Sequence, residues 1–516
     1  MRRVGAAILW LWIAVPGVAC SQEVTLEARD GALSISGRIL GYDGTFYRLE
    51  TEFGEVSVDG TRVTCTGAAC PDIDAFVPEL RISGSAAVGD ILLPVLLETF
   101  AVRRGLSLTR VDSADDTTFE IREEADGAIL SRVTLTLSTS DEGFADLIAD
   151  EADLIVSRRE ITTDEALFAR QAGRGDLTNA GRSRILALDA IVPAVAVGNR
   201  VGTISIDALR AVVSGEIVDW TDLGGDPGSI RLHVTDPGSG LLQAFLRLAM
   251  QRGEVALPGG TVVHEDDATL AMAVAEDPAA LGLAAFSRLG NVQPLIVAGQ
   301  CGKRVEADFL TLKSEDYPLT APIFLYAPMR RLSGLARDFV EYVTSPAAQP
   351  VIRRAGFVDQ FPEAIPLEAQ GRRLAYAISS AGEQVSLQDL QRLVEAMDGK
   401  VRLSLSFRFE GGSTELDAQS RANVELLAEA LERGVFDDRS LTFAGFSDGA
   451  GDALTNLSLS RDRAGVVRDA VRAAIDDLDR DLVSLETAAF GEAMPMACDR
   501  TDWGARVNRR VEVWLD

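Results

Sequence analysis

The chain is poor in the residues that carry most metal and relay chemistry. It has two histidines, His233 and His264, and five cysteines in 516 residues, which leaves little material for a His-based metal site or a His-dependent catalytic relay. His233 sits in a strand-like Leu232-His233-Val234 and His264 beside Glu265-Asp266-Asp267, so both read as structural or surface residues. Ser-His-Asp, HExxH and Walker-type patterns are missing. Positive charge is also scarce: 50 Lys and Arg stand against 78 Asp and Glu, a formal net charge of −28. A phosphate backbone is met by a basic face, so this balance argues against nucleic acid or an anionic membrane as the partner. Charged residues at 25% and apolar residues at 47% are ordinary globular values and exclude wholesale disorder. At roughly 150 residues per domain, the length suggests about three globular units.

The N-terminus reads Met1-Arg2-Arg3, an apolar run from Val4 to Val15, then Pro16-Gly17-Val18-Ala19-Cys20. A basic start, a short apolar middle and small residues before a cut site describe a secretory signal peptide over 1–21. The run is too short to cross a bilayer of roughly 30 Å. A lipid on Cys20 is the alternative fate, against Gly17 where a lipobox usually has Leu. Export to an oxidising compartment predicts a disulfide between Cys65 and Cys70, which bracket the turn Thr66-Gly67-Ala68-Ala69. The pairing of Cys301 and Cys498 stays open.

Residues 22–77 alternate with period two and are punctuated by Gly31, Gly41, Asp43-Gly44 and Asp59-Gly60, which predicts a small antiparallel β module. From 78 to 361, short apolar strands alternate with amphipathic helices over Ile91–Arg103, Thr163–Arg170, Leu241–Met250 and Leu335–Tyr342. This predicts an α/β domain with largely parallel pairing, large enough for two lobes around a cleft. A helical connector follows over 362–399. Residues 400–516 read β-α-β-α-β-β, with strands Val401–Phe409, Leu441–Phe446, Leu482–Ala489 and Val511–Leu515. Their helices cover Ser420–Leu431 and Leu459–Ile475, the second with Leu459, Val466 or Val467, Ala470 or Val471 and Ala474 on its buried stripe. The fold class is thus multidomain α/β and α+β.

The most informative stretch is Gly445-Phe446-Ser447-Asp448-Gly449-Ala450-Gly451, then Asn456-Leu-Ser-Leu-Ser460-Arg-Asp-Arg463-Ala464, then Asn508-Arg509-Arg510-Val511-Glu512. Asp448 follows a strand in a glycine-flanked turn. Asn456, Ser460 and Arg463 fall at i, i+4 and i+7, one helical face. A carboxylate and a guanidinium over one sheet edge form a clamp suited to a small zwitterion. The three ordered motifs resemble the OmpA-like peptidoglycan-binding domain, whose signature usually has His-Thr where this chain has Phe446-Ser447. The resemblance implies that Asp448 and Arg463, with Asn456 and Ser460 beside them, grip the diaminopimelate of the stem peptide.

In the middle domain, Ser83-Gly84-Ser85, Ser157-Arg158 and Gly238-Ser239-Gly240 each precede a predicted helix. Helix N-termini offer free N–H groups and partial positive charge, so Ser85, Ser157, Gly238, Ser239 and Gly240 would donate to an oxyanion, with Arg158 supplying charge. The text around them resembles the phosphate-binding substrate-binding proteins of ABC transporters. It includes Ala152-Asp-Leu-Ile-Val-Ser-Arg158, Ser214-Gly-Glu-Ile-Val-Asp-Trp220-Thr-Asp-Leu-Gly-Gly225, Asp277-Pro-Ala-Ala-Leu-Gly-Leu283 and Ser345-Pro-Ala-Ala-Gln349. The resemblance implies a two-lobed periplasmic-binding-protein-like fold, a small inorganic anion (phosphate first) as ligand, and an ABC permease or envelope protein as a further partner. Thr235-Asp236-Pro237 stand where relatives commonly carry Arg, and Leu241 where they carry Thr; Trp220 reads as packing. Together these features predict a non-catalytic, cofactor-free periplasmic protein that binds an anion and is tethered to peptidoglycan. The competing readings are a cell-wall-anchored structural or signalling protein whose cleft has lost its ligand, and an enzyme acting on envelope phosphate esters.

Overall fold

The structure, a computed structural model, describes residues 23–73, 75–113, 116–179, 181–250, 255–299, 303–382, 384–410, 413–475, 483–499 and 502–516. Residues 1–22, where the signal peptide, its cleavage site and Cys20 are expected, and Cys301 lie outside these residues. The chain forms two compact units, 1–78 with 331–334 and 79–330 with 335–516. No helix among the described residues is long and apolar enough to cross a membrane.

The first unit is a five-stranded antiparallel sheet in the order Gly54–Asp59, Phe46–Thr51, Ser34–Tyr42, Glu23–Ala28, Val63–Thr66. Period-two alternation turns Val24, Leu26, Tyr47 and Leu49 into one small core. The Asp43 carboxylate accepts from the Thr45 and Phe46 N–H groups at 2.8 and 2.6 Å and closes the hairpin turn that Asp43-Gly44 announces. Cys65 and Cys70 form the expected disulfide, Cα atoms 5.9 Å apart. Arg331, in the segment that returns to this unit, lies 4.1 Å from the Phe46 ring centroid.

The second unit opens with a sheet of eleven strands. Strand Glu79–Ser85 pairs in parallel with both Ile129–Ser138 and Leu154–Ser157. At one edge Leu106–Asp112, Thr117–Glu123 and Ile129–Ser138 form an antiparallel meander. The sheet is therefore mixed rather than largely parallel, because a half-exposed edge with polar residues every second position suits antiparallel hairpins. The long strand Ser183–Val195, buried from Ile185 onward, pairs with Thr320–Tyr326 on one side and with Ala280–Ala285 on the other. It thereby joins the first lobe to a second built on Arg231–Thr235 and Val262–His264. His233 and His264 sit on those two strands, Nδ1 to Nε2 3.0 Å apart, and Trp220 is buried.

The C-terminal sheet has the order Ala364–Ile365, Val401–Arg408, Arg510–Leu515, Arg439–Gly445, Val483–Ala489. Helices Ala418–Glu432 and Ala453–Ala474 supply its main core. A short helix, Asp502–Asn508, precedes the last strand. The connector is part of this layer: Ala364–Ile365 adds a strand, and Ala377, Leu393 and Met397 pack with Phe446 and Trp514. Helix Ala453–Ala474 starts six residues before Leu459 because Asp452 caps it, accepting from Thr455 N–H at 3.0 Å. Its inner face is Asn456, Ser460, Arg463, Ala464, Val467 and Val471; Leu459, expected inside, is 39% exposed.

A buried polar seam docks this domain on the middle domain. Arg402 donates to both oxygens of Asp316 (2.6 and 3.0 Å) and Arg408 to Glu315 (2.6 Å). Glu315 takes a left-handed backbone, φ 56°, just past the helix Phe309–Lys313.

Candidate binding sites

In the middle domain, parallel pairing of Leu154–Ser157 against Glu79–Ser85 delivers Ser85 and Ser157-Arg158 to the same sheet end. Gly84 makes this approach feasible: at φ +117°, a Cβ there would lie 2.2 Å from the Val156 carbonyl oxygen. Ser85 then begins the helix Ala86–Arg103, five residues earlier than expected. Its hydroxyl is buried and makes no hydrogen bond. Gly240, φ +91°, sits so that a Cβ would meet Ser140 Oγ at 2.6 Å and Arg158 Cβ at 3.1 Å. Ser140 Oγ accepts from the Arg158 N–H at 3.1 Å. Ser140 opens the helix Ser140–Ala149, so the helix start beside Arg158 is this one. The Thr163–Gln171 helix is capped instead by Thr162.

Several of the expected donors are engaged inside the protein. Ser157 Oγ donates to the Arg159 carbonyl (2.7 Å), Gly238 N–H donates to Asp236 (2.7 Å), and Ser239 Oγ bonds Thr235 Oγ1 (3.0 Å). Arg158, 2% exposed, does not offer free charge. It donates through Nη1 to Asp267 (2.8 Å) and through Nη2 to Asp189 (3.3 Å). Asp189 also accepts from Ser287 Oγ and N–H (2.8 and 3.0 Å). The second oxygen of Asp267, Oδ1, has no partner, and burial pushes its carboxyl above the usual range against the pull of Arg158. Ser140, Asp189, Asp267 and Ser287 carried no motif, and Asp189 and Asp267 lie 31 and 109 residues from Arg158. A site of Arg158, Ser85, Ser140 and Gly240 therefore combines a neutralised cation, an open hydroxyl, two helix starts and a carboxyl with one unbonded oxygen.

The C-terminal site forms where strand Arg439–Gly445 ends under helix Ala453–Ala474. Gly445 lets them touch: a Cβ would fall 1.9 Å from the Ser460 carbonyl oxygen. Asp448 and Arg463 are both largely buried and are not bonded to each other. Asp448 accepts from Arg509 Nη1 at 2.8 Å. Arg463 stands 5.3 Å from the Phe409 ring centroid, and its Nε and Nη1 have no partner. Burial, then repulsion from Arg509, lowers its pKa. Asn456 is fully buried with neither amide atom bonded. The Ser460 hydroxyl, by contrast, is engaged within the protein: it donates to the Leu457 carbonyl (2.9 Å) and accepts from Gly491 N–H (3.1 Å).

Two carboxylates join this site without a sequence signal. Asp499 accepts from Gly449 N–H (2.8 Å) and Asn508 Nδ2 (2.6 Å), and Glu492 keeps a buried, unbonded Oε1. Burial raises both pKa values, with Asp448 adding repulsion. Arg509 was legible only as part of a motif. In the final strand Arg510 turns inward to Glu512 (2.7 Å), which leaves Arg509 on the side of Asp448. Phe446, where the family has His, is a core residue 4.2 Å under the Arg510 guanidinium and 5.6 Å from the Phe490 ring.

A PBP superfamily domain matches residues 70–347, more than half of the chain, and the OmpA family matches residues 408–509. The chain belongs to the PBP superfamily and carries a C-terminal OmpA-family domain. Among curated relatives it is similar to the phosphate-binding protein PstS of Bacillus subtilis, 26% identical over 173 residues, 33% of this chain and 55% of that protein. It is also similar to outer membrane porin F of Pseudomonas aeruginosa, 29% identical over 116 residues, 22% of this chain and 32% of the porin. The chain thus spans about half of the first relative and a third of the second. A solved ABC-type phosphate transport receptor from Vibrio cholerae aligns with a TM-score of 0.42 at 18% identity, over 54% of this chain and 99% of that one.

Proposed function

We propose that this is a non-catalytic periplasmic protein that holds a small oxyanion, phosphate first, in its two-lobed domain and grips peptidoglycan with its C-terminal domain. The observation that carries the reading is the pair Arg463 and Asn456. A guanidinium and an amide are buried with donors and acceptors unmatched, beside Asp448, within the span of the OmpA-family match. Unsatisfied buried polar groups are costly in a folded chain, and a zwitterion with an ammonium for Asp448 and a carboxylate for Arg463 would satisfy them. In the cleft, the open Ser85 hydroxyl and the starts of the Ala86–Arg103 and Ser140–Ala149 helices would donate to the anion. Phosphate follows from the name of the curated relative, and an ABC permease is the partner that such a domain would serve.

Sedimentation with purified sacculi tests the first half, because Asp448→Ala and Arg463→Ala should each abolish co-sedimentation. Calorimetry of the full chain with inorganic phosphate tests the second. Absence of heat and of a thermal shift would replace phosphate capture with a cleft that meets a protein partner.

A further inference from the structure

A cavity of about 270 Å³ lies between the substrate-binding and C-terminal domains. Tyr317 and Phe324 from the first domain and Phe409 from the second make one side aromatic. The Phe409 ring also carries the Arg463 guanidinium, so a single ring separates this cavity from the site at Asp448.

The remaining lining is charged and unbalanced. Glu160, Glu315, Glu410 and Asp417 meet Arg247, Arg408 and Arg506, four carboxylates against three guanidiniums. Arg408 is committed to Glu315, Asp417 caps the Ala418–Glu432 helix through Ser420 N–H at 2.8 Å, and Arg247 approaches Glu160 only to 3.8 Å. No donor among the described residues hydrogen-bonds the side chain of Glu160 or Glu410. Partial burial raises the pKa of both against the pull of arginines, Arg247 and Arg421 at Glu160 and Arg421 and Arg506 at Glu410, with repulsion from Asp417 at each. An independent feature points the same way. Gln419, 6% exposed, lines the cavity. Its Nε2 is used by Gln360 and Asn423, at 3.1 Å each, while its Oε1 has no partner. The lining therefore presents one more carboxylate than guanidinium, an unpartnered acceptor at Gln419 Oε1, and aromatic faces.

We propose that this cavity binds a primary ammonium on a short aliphatic stem, its charge held between Glu160 and Glu410, one N–H donated to Gln419 Oε1, and its stem laid against Tyr317, Phe324 and Phe409. An ammonium has three donors and no acceptor, and aromatic faces attract a cation. A metal ion suits the lining less: no His, Cys, Asp or Glu cluster among the described residues has metal-binding spacing. The amine comes either from a free diamine or from the free side-chain amine of a diamino residue in a second stem peptide, and the second source rests on the peptidoglycan reading above.

Calorimetric titration of the full chain with cadaverine tests the site. Saturable binding is expected, weakened about tenfold or more by Glu160→Gln and by Glu410→Gln, each the loss of one charge-assisted contact, and unchanged by Asp448→Asn. No heat with the wild-type chain, or equal affinity in both Gln variants, overturns the proposal. Glu410 is exposed, so its variant reads binding rather than folding. If both Gln variants also lose sacculus retention severalfold, the stem peptide supplies the amine; if they lose cadaverine but keep sacculi, the ligand is a free amine. Sacculus retention by Asp448→Asn would defeat the peptidoglycan reading and leave the cadaverine result standing by itself.

Discussion

Arg158, just past a strand, and Arg463, on the inner face of a helix, are two buried arginines, and the fold treats them oppositely. Arg158 is answered from inside by Asp189 and Asp267, on a strand and a helix distant in sequence. Arg463 has an aromatic ring beside it and two nitrogens with no partner. The first guanidinium is completed from within the protein, although Asp267 Oδ1 keeps no partner, and removing Arg158 leaves unpaired charge behind. The second is unfinished, and under the proposed function its partner is the carboxylate of a ligand. A buried charge thus marks a structural element or a binding element according to whether the protein itself completes it.

Breaking the completed pairing should have the largest effect. Arg158→Ala strands two buried carboxylates and is expected to destabilise the domain by about 3–5 kcal/mol, seen as a lower midpoint in denaturant unfolding; an unchanged midpoint would mean that the pairing contributes nothing. Arg463→Ala should reverse the pattern. Sacculus affinity falls by about 2–3 kcal/mol, while the melting temperature stays level or rises, since a desolvated cation without a partner is removed. A large drop in melting temperature would show that Arg463 is structural after all. Ser85→Ala sharpens the comparison within the cleft. Its hydroxyl bonds nothing in the protein, so stability should hold while phosphate affinity falls by about 1 kcal/mol; equal calorimetric affinities in variant and wild type would take Ser85 out of the anion site.

The smallest effect concerns the seam between domains. Burial pushes the Glu315 carboxyl from 4.5 up to about 7. The folded state therefore binds this proton more tightly than the unfolded chain does. Its contribution to stability is present below about 4.5 and is lost as the pH rises through about 7. Relative to wild type, Glu315→Gln should flatten the fall in melting temperature across that window. Parallel curves for the two proteins would show that Arg408 holds Glu315 ionised throughout.

Domain identity was legible because it rests on local order. The Asp448 turn, the Asn456–Arg463 helix face and the Asn508–Glu512 strand each place their residues by short-range geometry, and the glycines at 84, 240 and 445 mark places where backbone or side chains nearly touch. The meander over 106–138 was missed because polar alternation at a sheet edge resembles surface patterning on any element. Leu459 was misplaced because the buried stripe runs through the polar Asn456, Ser460 and Arg463, which an apolar periodicity passes over. Ser140 was missed since nothing in its surroundings distinguishes a helix start that enters the cleft from one that meets solvent.

By itself, then, the sequence determined the succession of β module, substrate-binding domain and OmpA-family domain, the Cys65–Cys70 bridge, and which turns and helix faces bear polar groups. Only the tertiary structure decided which of those groups remain unanswered. Hydrogen bonds and ion pairs are consumed by whatever lies within about 3 Å, and neighbours such as Asp267, Arg509 and Gln419 arrive from strands and helices that the chain order keeps far apart.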